Sequence, residues 1–393
     1  MIGIGVCLSG IFATFVTVQK KIIRDMKRRI GHAAWVSGAA AVLMAVAALV
    51  IIGQKNDCID VVIGTYGQNV YVYSFDCKTL EFKQKSVFAA TDASYALTDG
   101  GNLYAVREKG DDSGVYSFVG DDAVATEKRQ TGADPCFVLM HDGFMMTADY
   151  SGGTVSVFPV MADGSVGDRC GQLAFYGSGV VEGRQESSHI HQLKVLPGNA
   201  SIILAADLGA DKIHVIQMDK CEDACKLSHI CDIDCPAGSG PRHMEFAKDG
   251  KTLYCMAELS GEVLVYDICN EGNPKFDLIQ IIMADDVNAG GSADIHMHPD
   301  GKYLYTSHRL ENDGISVFKV NDDATLTKVS YTNTARHPRN FMITPDGNHV
   351  LVACRDDKVV QVFEVNENHS LTLTESVLEF TSDMPSSVLP ADI

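Results

Sequence analysis

Residues 249–268 read DGKTLYCMAELSGEVLVYDI, and their reading decides the fold. An Asp-Gly pair opens the stretch, and an apolar run, TLYCMA, follows it. A short polar break comes next, and a β-branched and aromatic run, VLVYDI, closes it. Asp-Gly beside apolar runs is a strong hairpin signal, because both residue types tolerate positive φ. Runs such as VLVYDI fit a pleated, half-buried surface. The same pattern starts again at Asp99, Asp142, Pro197, Asp300 and Asp346, so that successive anchors lie 43, 55, 52, 51 and 46 residues apart. A partial unit, DVVIGTYGQNVYVYSF, opens the series at Asp60. A period of roughly 40–50 residues, with three or four short strands in each, is the signature of one propeller blade. Helical periodicity is nearly absent after residue 58. The expected fold is therefore all-β, a seven-bladed β-propeller over residues 58–393. The first strand, IDVVIGTYG, is expected to complete the blade built by the C-terminal SLTLTESVLEF and so tie the ring shut.

Residues 1–57 differ in character. The uncharged run AAWVSGAAAVLMAVAALVIIG at 33–53 has about the ~20 residues that span a bilayer, and the basic KKIIRDMKRRIGH precedes it. The expectation is an N-terminal hydrophobic helical segment that associates with a membrane and anchors the chain, its basic flank cytoplasmic. A start at Met26 would make the run a signal peptide or signal anchor, and cytoplasmic location is the alternative if the true start lies downstream or the segment is not inserted.

Composition limits the partners. A net charge of −19 argues against nucleic acid, whose phosphates need a basic surface. A small anionic substrate stays open, because it answers to a local pocket rather than to the total charge. The 12 cysteines include no CxxC. Cys221, Cys225, Cys231 and Cys235 have the wrong spacing for an ordinary zinc site, and reduced thiols in a reducing compartment are the expected state.

Each first hairpin folds about its turn, so residues equidistant from the turn come together at the far end. This places Arg242 opposite Ala257 and Glu258, His189 and His191 beside Asp207, and Asp294 and His296 near Arg309. It also places Arg339 opposite Arg355, and Pro135-Cys136 opposite Asp149. If the first strand of each blade is innermost, these residues ring one mouth of the central channel. The pattern alone allows two readings: a site with converging His, Arg and Glu, or polar caps on neighbouring turns.

At these residues the chain resembles the lactonase family of seven-bladed propellers, which includes a type of 6-phosphogluconolactonase and the fungal carboxy-cis,cis-muconate lactonizing enzyme. The segments that carry the resemblance include IGTYGQNVYVY, RQESSHIHQLKVLPGNASIILAADLGADKI, GSGPRHMEFAKDGKTLYCMAEL, GSADIHMHPDGKYLYTSHR and HPRNFMITPDG. It implies hydrolysis of a sugar lactone, with 6-phospho-D-glucono-1,5-lactone the leading candidate. Its suspected active residues fall on His191, Arg242, Glu258 and Arg309. His189, Gln185, Asp207, His296 and Arg339 are the expected substrate contacts. No cofactor is expected, and no metal in the site. Glu258 or His191 would activate water, and the arginines would hold an anion or a developing oxyanion. Three positions depart from the family pattern of Asn: Asp149, Ala257 and His308. A muconate-type cycloisomerase and a non-catalytic binding propeller are the competing expectations. No GxSxG elbow points to an acyl-enzyme.

Overall fold

The computed structural model describes residues 58–120, 125–128, 130–221, 224–269 and 274–393. The expected N-terminal anchor, with its apolar run at 33–53, lies outside them. Among the described residues no helix is long and apolar enough to cross a membrane.

Seven antiparallel sheets of four strands each make the described domain. We number the blades along the chain. Blade I spans 58–89, blade II 96–128, blade III 135–174, blade IV 190–234, blade V 241–283, blade VI 292–333 and blade VII 338–379. The innermost strands of blades II to VII are Ala96–Asp99, Pro135–His141, Ile190–Leu196, Pro241–Phe246, Ser292–Met297 and Pro338–Ile343, each touching the next around the ring. Apolar clusters fill the spaces between blades. One joins Leu204, Ala206 and Val215 of blade IV to Met244, Leu253 and Cys255 of blade V.

The ring closes through a different strand from the expected one. SLTLTESVLEF forms the outermost strand of blade VII (Leu371–Glu379). The innermost strand of blade I is instead the last one in the chain, Met384–Ala391, paired with Cys58–Tyr66. Val388 is its fully buried anchor, packed with Val61 and Ile63. The alternation in LTLTESVLE leaves one side of that strand exposed, as suits an outer edge, whereas PSSV is buried over its whole length.

The turns also differ in detail. Only Asp142-Gly143 takes positive φ at both positions. In three others the glycine alone does so, and the aspartate carboxylate accepts the backbone N–H two residues on, as Asp249 does from Lys251.

Six of the seven blades carry one irregularity at the channel end of their inner hairpin, and blade II, whose pairing Ala96–Asp99 with Asn102–Arg107 is regular, does not. The register slips between Pro135 and Phe137, between Ile190 and Gln192, between Pro241 and His243, between Ser292 and Ile295, and between Pro338 and Asn340. In blade I it slips opposite Gly64 and Thr65, where Ser386 is the extra residue. Such a bulge sets two residues against one and re-aims the side chain of the extra residue. The extra residues include Cys136, His191, Arg242 and Arg339. It is therefore Pro241, not Arg242, that lies opposite Ala257. Asp134 and His337, each just before a bulge proline, take left-handed φ of 51° and 63°, a local strain typical of sites that fix a functional group.

Candidate active site

At the mouth of the channel lies a cavity of about 140 Å³, lined by Glu108, Cys136, Tyr150, Arg184, His191, Glu258, Arg309 and Arg339. A volume this small, against the ~300–1,000 Å³ of drug-sized sites, suits a ligand built on a single ring.

Glu258 is the hub. Arg184 lies 2.6 Å from its Oε1, while Arg242 and Arg309 lie 2.7 and 3.2 Å from its Oε2. Burial pushes the Glu258 carboxyl up, but Arg309, Arg242 and Arg184 outweigh it and hold the group at about 2. Arg242 is 1% exposed, and its guanidinium donates to the Ala293 carbonyl at 2.7 Å. It stands behind the cavity wall and supports Glu258. Arg309 donates to the Gly291 carbonyl at 2.7 Å, and burial pulls it down to about 9 despite Glu258.

Across the cavity, Glu108 accepts from Tyr66 Oη at 2.7 Å and from the Ser94 hydroxyl. The Arg339 guanidinium lies 3.9 Å from Glu108 and 5.3 Å over the Tyr66 ring. Four guanidiniums, Arg184, Arg242, Arg309 and Arg339, thus face two carboxylates. The surplus is positive and largely dry, which is the setting for an anion.

His191 is 5% exposed, and its Nδ1 is buried without a hydrogen-bond partner. Burial, then Arg242 and the neighbouring His243, hold its pKa well below the ordinary 6.5, so the ring is neutral at pH 7. Tyr150 sits edge-on at 5.7 Å and His243 at 5.0 Å between ring centroids. Beneath them Asp294 takes His243 Nδ1 at 2.7 Å and His296 Nε2 at 2.8 Å. Burial pushes the Cys136 thiol up, which leaves it protonated and unsuited to act as a nucleophile.

The structure thus brings together His191, Arg242, Glu258, Arg309 and Arg339. It does not bring the other four to the cavity. Gln185 is turned into the protein, donating to the Leu208 carbonyl at 2.8 Å and to Asp211 at 2.7 Å, and it pins the loop that carries Arg184. Asp207 accepts backbone N–H groups of His189, Gly209 and Ala210, and so organises a turn. His189 stacks on Tyr150 at 4.4 Å and bonds the Tyr150 carbonyl, which orients that tyrosine. His296 is held by Asp294, and it does not approach Arg309 as the hairpin geometry suggested.

Sequence reasoning overlooked Arg184, Glu108 and Tyr150. A signal for Glu108 existed. Glu108, Glu258, Arg309 and Arg355 each stand nine residues after the aspartate of their Asp-Gly turn. Arg184 had no such signal, because a long connection between blades III and IV supplies it.

A family model described as lactonase, 7-bladed β-propeller, matches residues 60–390. The chain belongs to the lactonase family. Among its relatives within that family, the 6-phosphogluconolactonase of Bacillus subtilis is 31% identical over 337 residues, 80% of this chain and 94% of the relative. That of Formosa agariphila is 31% identical over 313 residues, covering 76% and 88%. A crystal structure from Bacteroides fragilis is 35% identical with a TM-score of 0.81 over 86% of this chain and 99% of that one. The periplasmic gluconolactonase of Pseudomonas aeruginosa, another lactonase structure, is 27% identical with a TM-score of 0.76 over 85% and 99%.

Proposed function

We propose that this lactonase-family chain hydrolyses an anionic sugar lactone, 6-phospho-D-glucono-1,5-lactone to 6-phosphogluconate, at the channel mouth. The observation that carries this reading is the surplus of guanidinium over carboxylate around a neutral, unpartnered histidine. The 6-phosphogluconolactonase relatives support the substrate class.

Chemistry follows from the charges. A carboxylate held at about 2 is a weak base, so Glu258 serves to orient and balance Arg184, Arg242 and Arg309. His191 is then the group that takes a proton from water as it attacks the lactone carbonyl. Arg309 and Arg184, which line the cavity, stabilise the oxyanion that develops. The imidazolium returns its proton to the ring oxygen as the acyl C–O bond breaks, leaving a carboxylic acid that ionises and an alcohol. The substrate's own negative charge offsets the arginine field, which raises His191 basicity in the complex relative to the free protein. Arg339, stacked on Tyr66, is placed to receive the phosphate.

The test is hydrolysis of freshly generated 6-phosphogluconolactone and of unphosphorylated glucono-1,5-lactone, with Glu258→Gln and His191→Gln alongside. Turnover of the phosphorylated lactone that both variants abolish supports the proposal. Preference for the unphosphorylated lactone would move the substrate toward that named for the Pseudomonas aeruginosa relative. No rate above spontaneous opening for either lactone would sink the lactonase reading and favour a cycloisomerase or a docking propeller.

A further inference from the structure

Blades VI and VII meet a second time at the ends of their strands away from the cavity. There the turn after Ser292–Met297 carries His298 and Asp300, and the turn after Val359–Val365 carries His369. His298 is 8% exposed, and its Nε2 lies 2.9 Å from the Gly347 carbonyl. A carbonyl only accepts, so Nε2 carries the proton and Nδ1 carries a lone pair. The Asp300 N–H also reaches Nδ1, at 3.2 Å, consistent with that tautomer. Yet Asp300 Oδ1 sits 2.9 Å from the same Nδ1. Two lone-pair atoms at this distance repel unless a proton or a metal ion lies between them.

His369 completes the group from the neighbouring blade. Its Nε2 lies 3.3 Å from Asp300 Oδ2. The ring is stacked on Tyr303 at 3.7 Å and perpendicular to His298 at 4.6 Å. Tyr305 Oη donates to the His369 carbonyl at 3.1 Å and lies 3.4 Å from Nδ1, where it can accept that nitrogen's proton. Both imidazoles therefore have an outer partner on one nitrogen and turn the other toward Asp300, as metal-binding histidines do. Among the described residues no lysine or arginine pairs with Asp300. Asp300 Oδ1 keeps one further contact, the Lys302 N–H at 2.7 Å.

We propose that His298 Nδ1, the Asp300 carboxylate and His369 Nε2 form a zinc-type divalent metal site that ties blade VI to blade VII. Metal–ligand bonds of ~2.0–2.1 Å in a tetrahedron put neighbouring ligand atoms ~3.3 Å apart. The 3.3 Å from His369 Nε2 to Asp300 Oδ2 equals such an edge, and the 2.9 Å from His298 Nδ1 to the other oxygen, Oδ1, is shorter than one. Two imidazoles with one carboxylate suit zinc over magnesium or calcium, which seek oxygen. A second group, His214, His229 and Asp232, has a similar composition. There Lys212 Nζ already lies 3.2 Å from Asp232 Oδ2, and a fixed ammonium opposes a metal cation.

Zinc is titrated into the purified full chain, with binding followed by calorimetry and stability by thermal melting. His369→Asn and His229→Asn are measured in parallel. Asparagine is chosen at 369 because the backbone there is left-handed, φ 62°, which asparagine accepts. The expected result is a zinc-dependent rise in Tm that persists in His229→Asn. In His369→Asn the affinity of one site falls by at least ~100-fold, the upper end of what losing an outer hydrogen bond costs. Because all comparisons are differences from the parent chain, zinc held by cysteines cancels. His298→Gln, which can still donate to Gly347, is expected to repeat the loss. Absence of any zinc-dependent rise overturns the proposal. So does a rise unchanged by His369→Asn, or one that His229→Asn abolishes.

Discussion

Lowering the pH from 7 to 5 should cost this fold several kcal/mol of stability, about 4 kcal/mol from two histidines it keeps neutral. His191, His243 and His308 are 5%, 4% and 0% exposed. Burial, then Arg242, holds His243 at about 4. Burial, then Lys328 and Arg309, holds His308 at about 3. Burial and Arg242 hold His191 well below 6.5. In the unfolded chain each titrates near ~6.5. Below that pH the unfolded chain therefore carries more protons than the native one, so stability falls as pH falls. The contribution is complete above ~6.5 and is lost progressively toward the folded values. At pH 5 His243 and His308 each cost about 2 kcal/mol, about 4 kcal/mol together, against the ~5–15 kcal/mol of a typical domain, and His191 acts in the same direction. His296 opposes this: burial lowers its pKa, but Asp294 outweighs burial and raises it, so it offsets part of the loss. Glu258 acts in another window. Its depressed carboxyl adds stability that is whole above about 4.5 and is lost as pH falls toward 2.

Chemical denaturation at pH 7, 6 and 5 measures the slope, expected to steepen below ~6.5 toward roughly 3 kcal/mol per pH unit for His243 and His308 together, before the His296 offset. His308→Asn isolates one group. Its ring lies 2.8 Å from the Ser292 and Thr306 hydroxyls, partners that an amide also accepts. The slope should fall by about 1.4 kcal/mol per unit in this variant. Equal stability at pH 7 and 5, or an unchanged slope in His308→Asn, would refute the reasoning.

Other expectations concern the site and the closure. Glu258→Gln should lower kcat by roughly 10²–10³, as loss of an aligned charge partner does, and should destabilise by about 3–5 kcal/mol because the buried guanidiniums lose their counter-charge; steady-state kinetics beside a melting curve separates the two. Arg339→Met should raise KM for the phosphorylated lactone far more than for the unphosphorylated one, and equal effects on both would remove Arg339 from phosphate recognition. Removing residues 384–393 unpairs Cys58–Tyr66 and deletes buried Val388, so cooperative unfolding should be lost; a sharp transition at the original Tm would contradict closure by that strand.

The sequence determined the blades. Period, Asp-Gly turns and alternating strands are local properties, and each blade is a local hairpin series, so DGKTLYCMAELSGEVLVYDI and its repeats were enough to set fold and count. Hairpin distance from a turn was also enough to bring Arg242 near Glu258 and His191 near the rim, since antiparallel pairing preserves that distance. A family resemblance then turned residues of the right type into a candidate site.

Tertiary structure decided what no local rule reaches. Bulges in the inner hairpins of blades IV, V and VII re-aim His191, Arg242 and Arg339, and a bulge shifts register without leaving a mark in the hydrophobic pattern. Arg184 arrives on a connection with no period, and Gln185 beside it turns the other way because Asp211 and the Leu208 carbonyl hold it. The expected partnership of IDVVIGTYG with the blade built by SLTLTESVLEF does not form. Closure instead used Met384–Ala391, because only burial on both faces distinguishes an inner strand from an outer one. The charge state of Glu258 is likewise collective. Three arginines from the blade III–IV connection, blade V and blade VI override the burial that would otherwise protonate it, and their convergence exists only once the ring has closed.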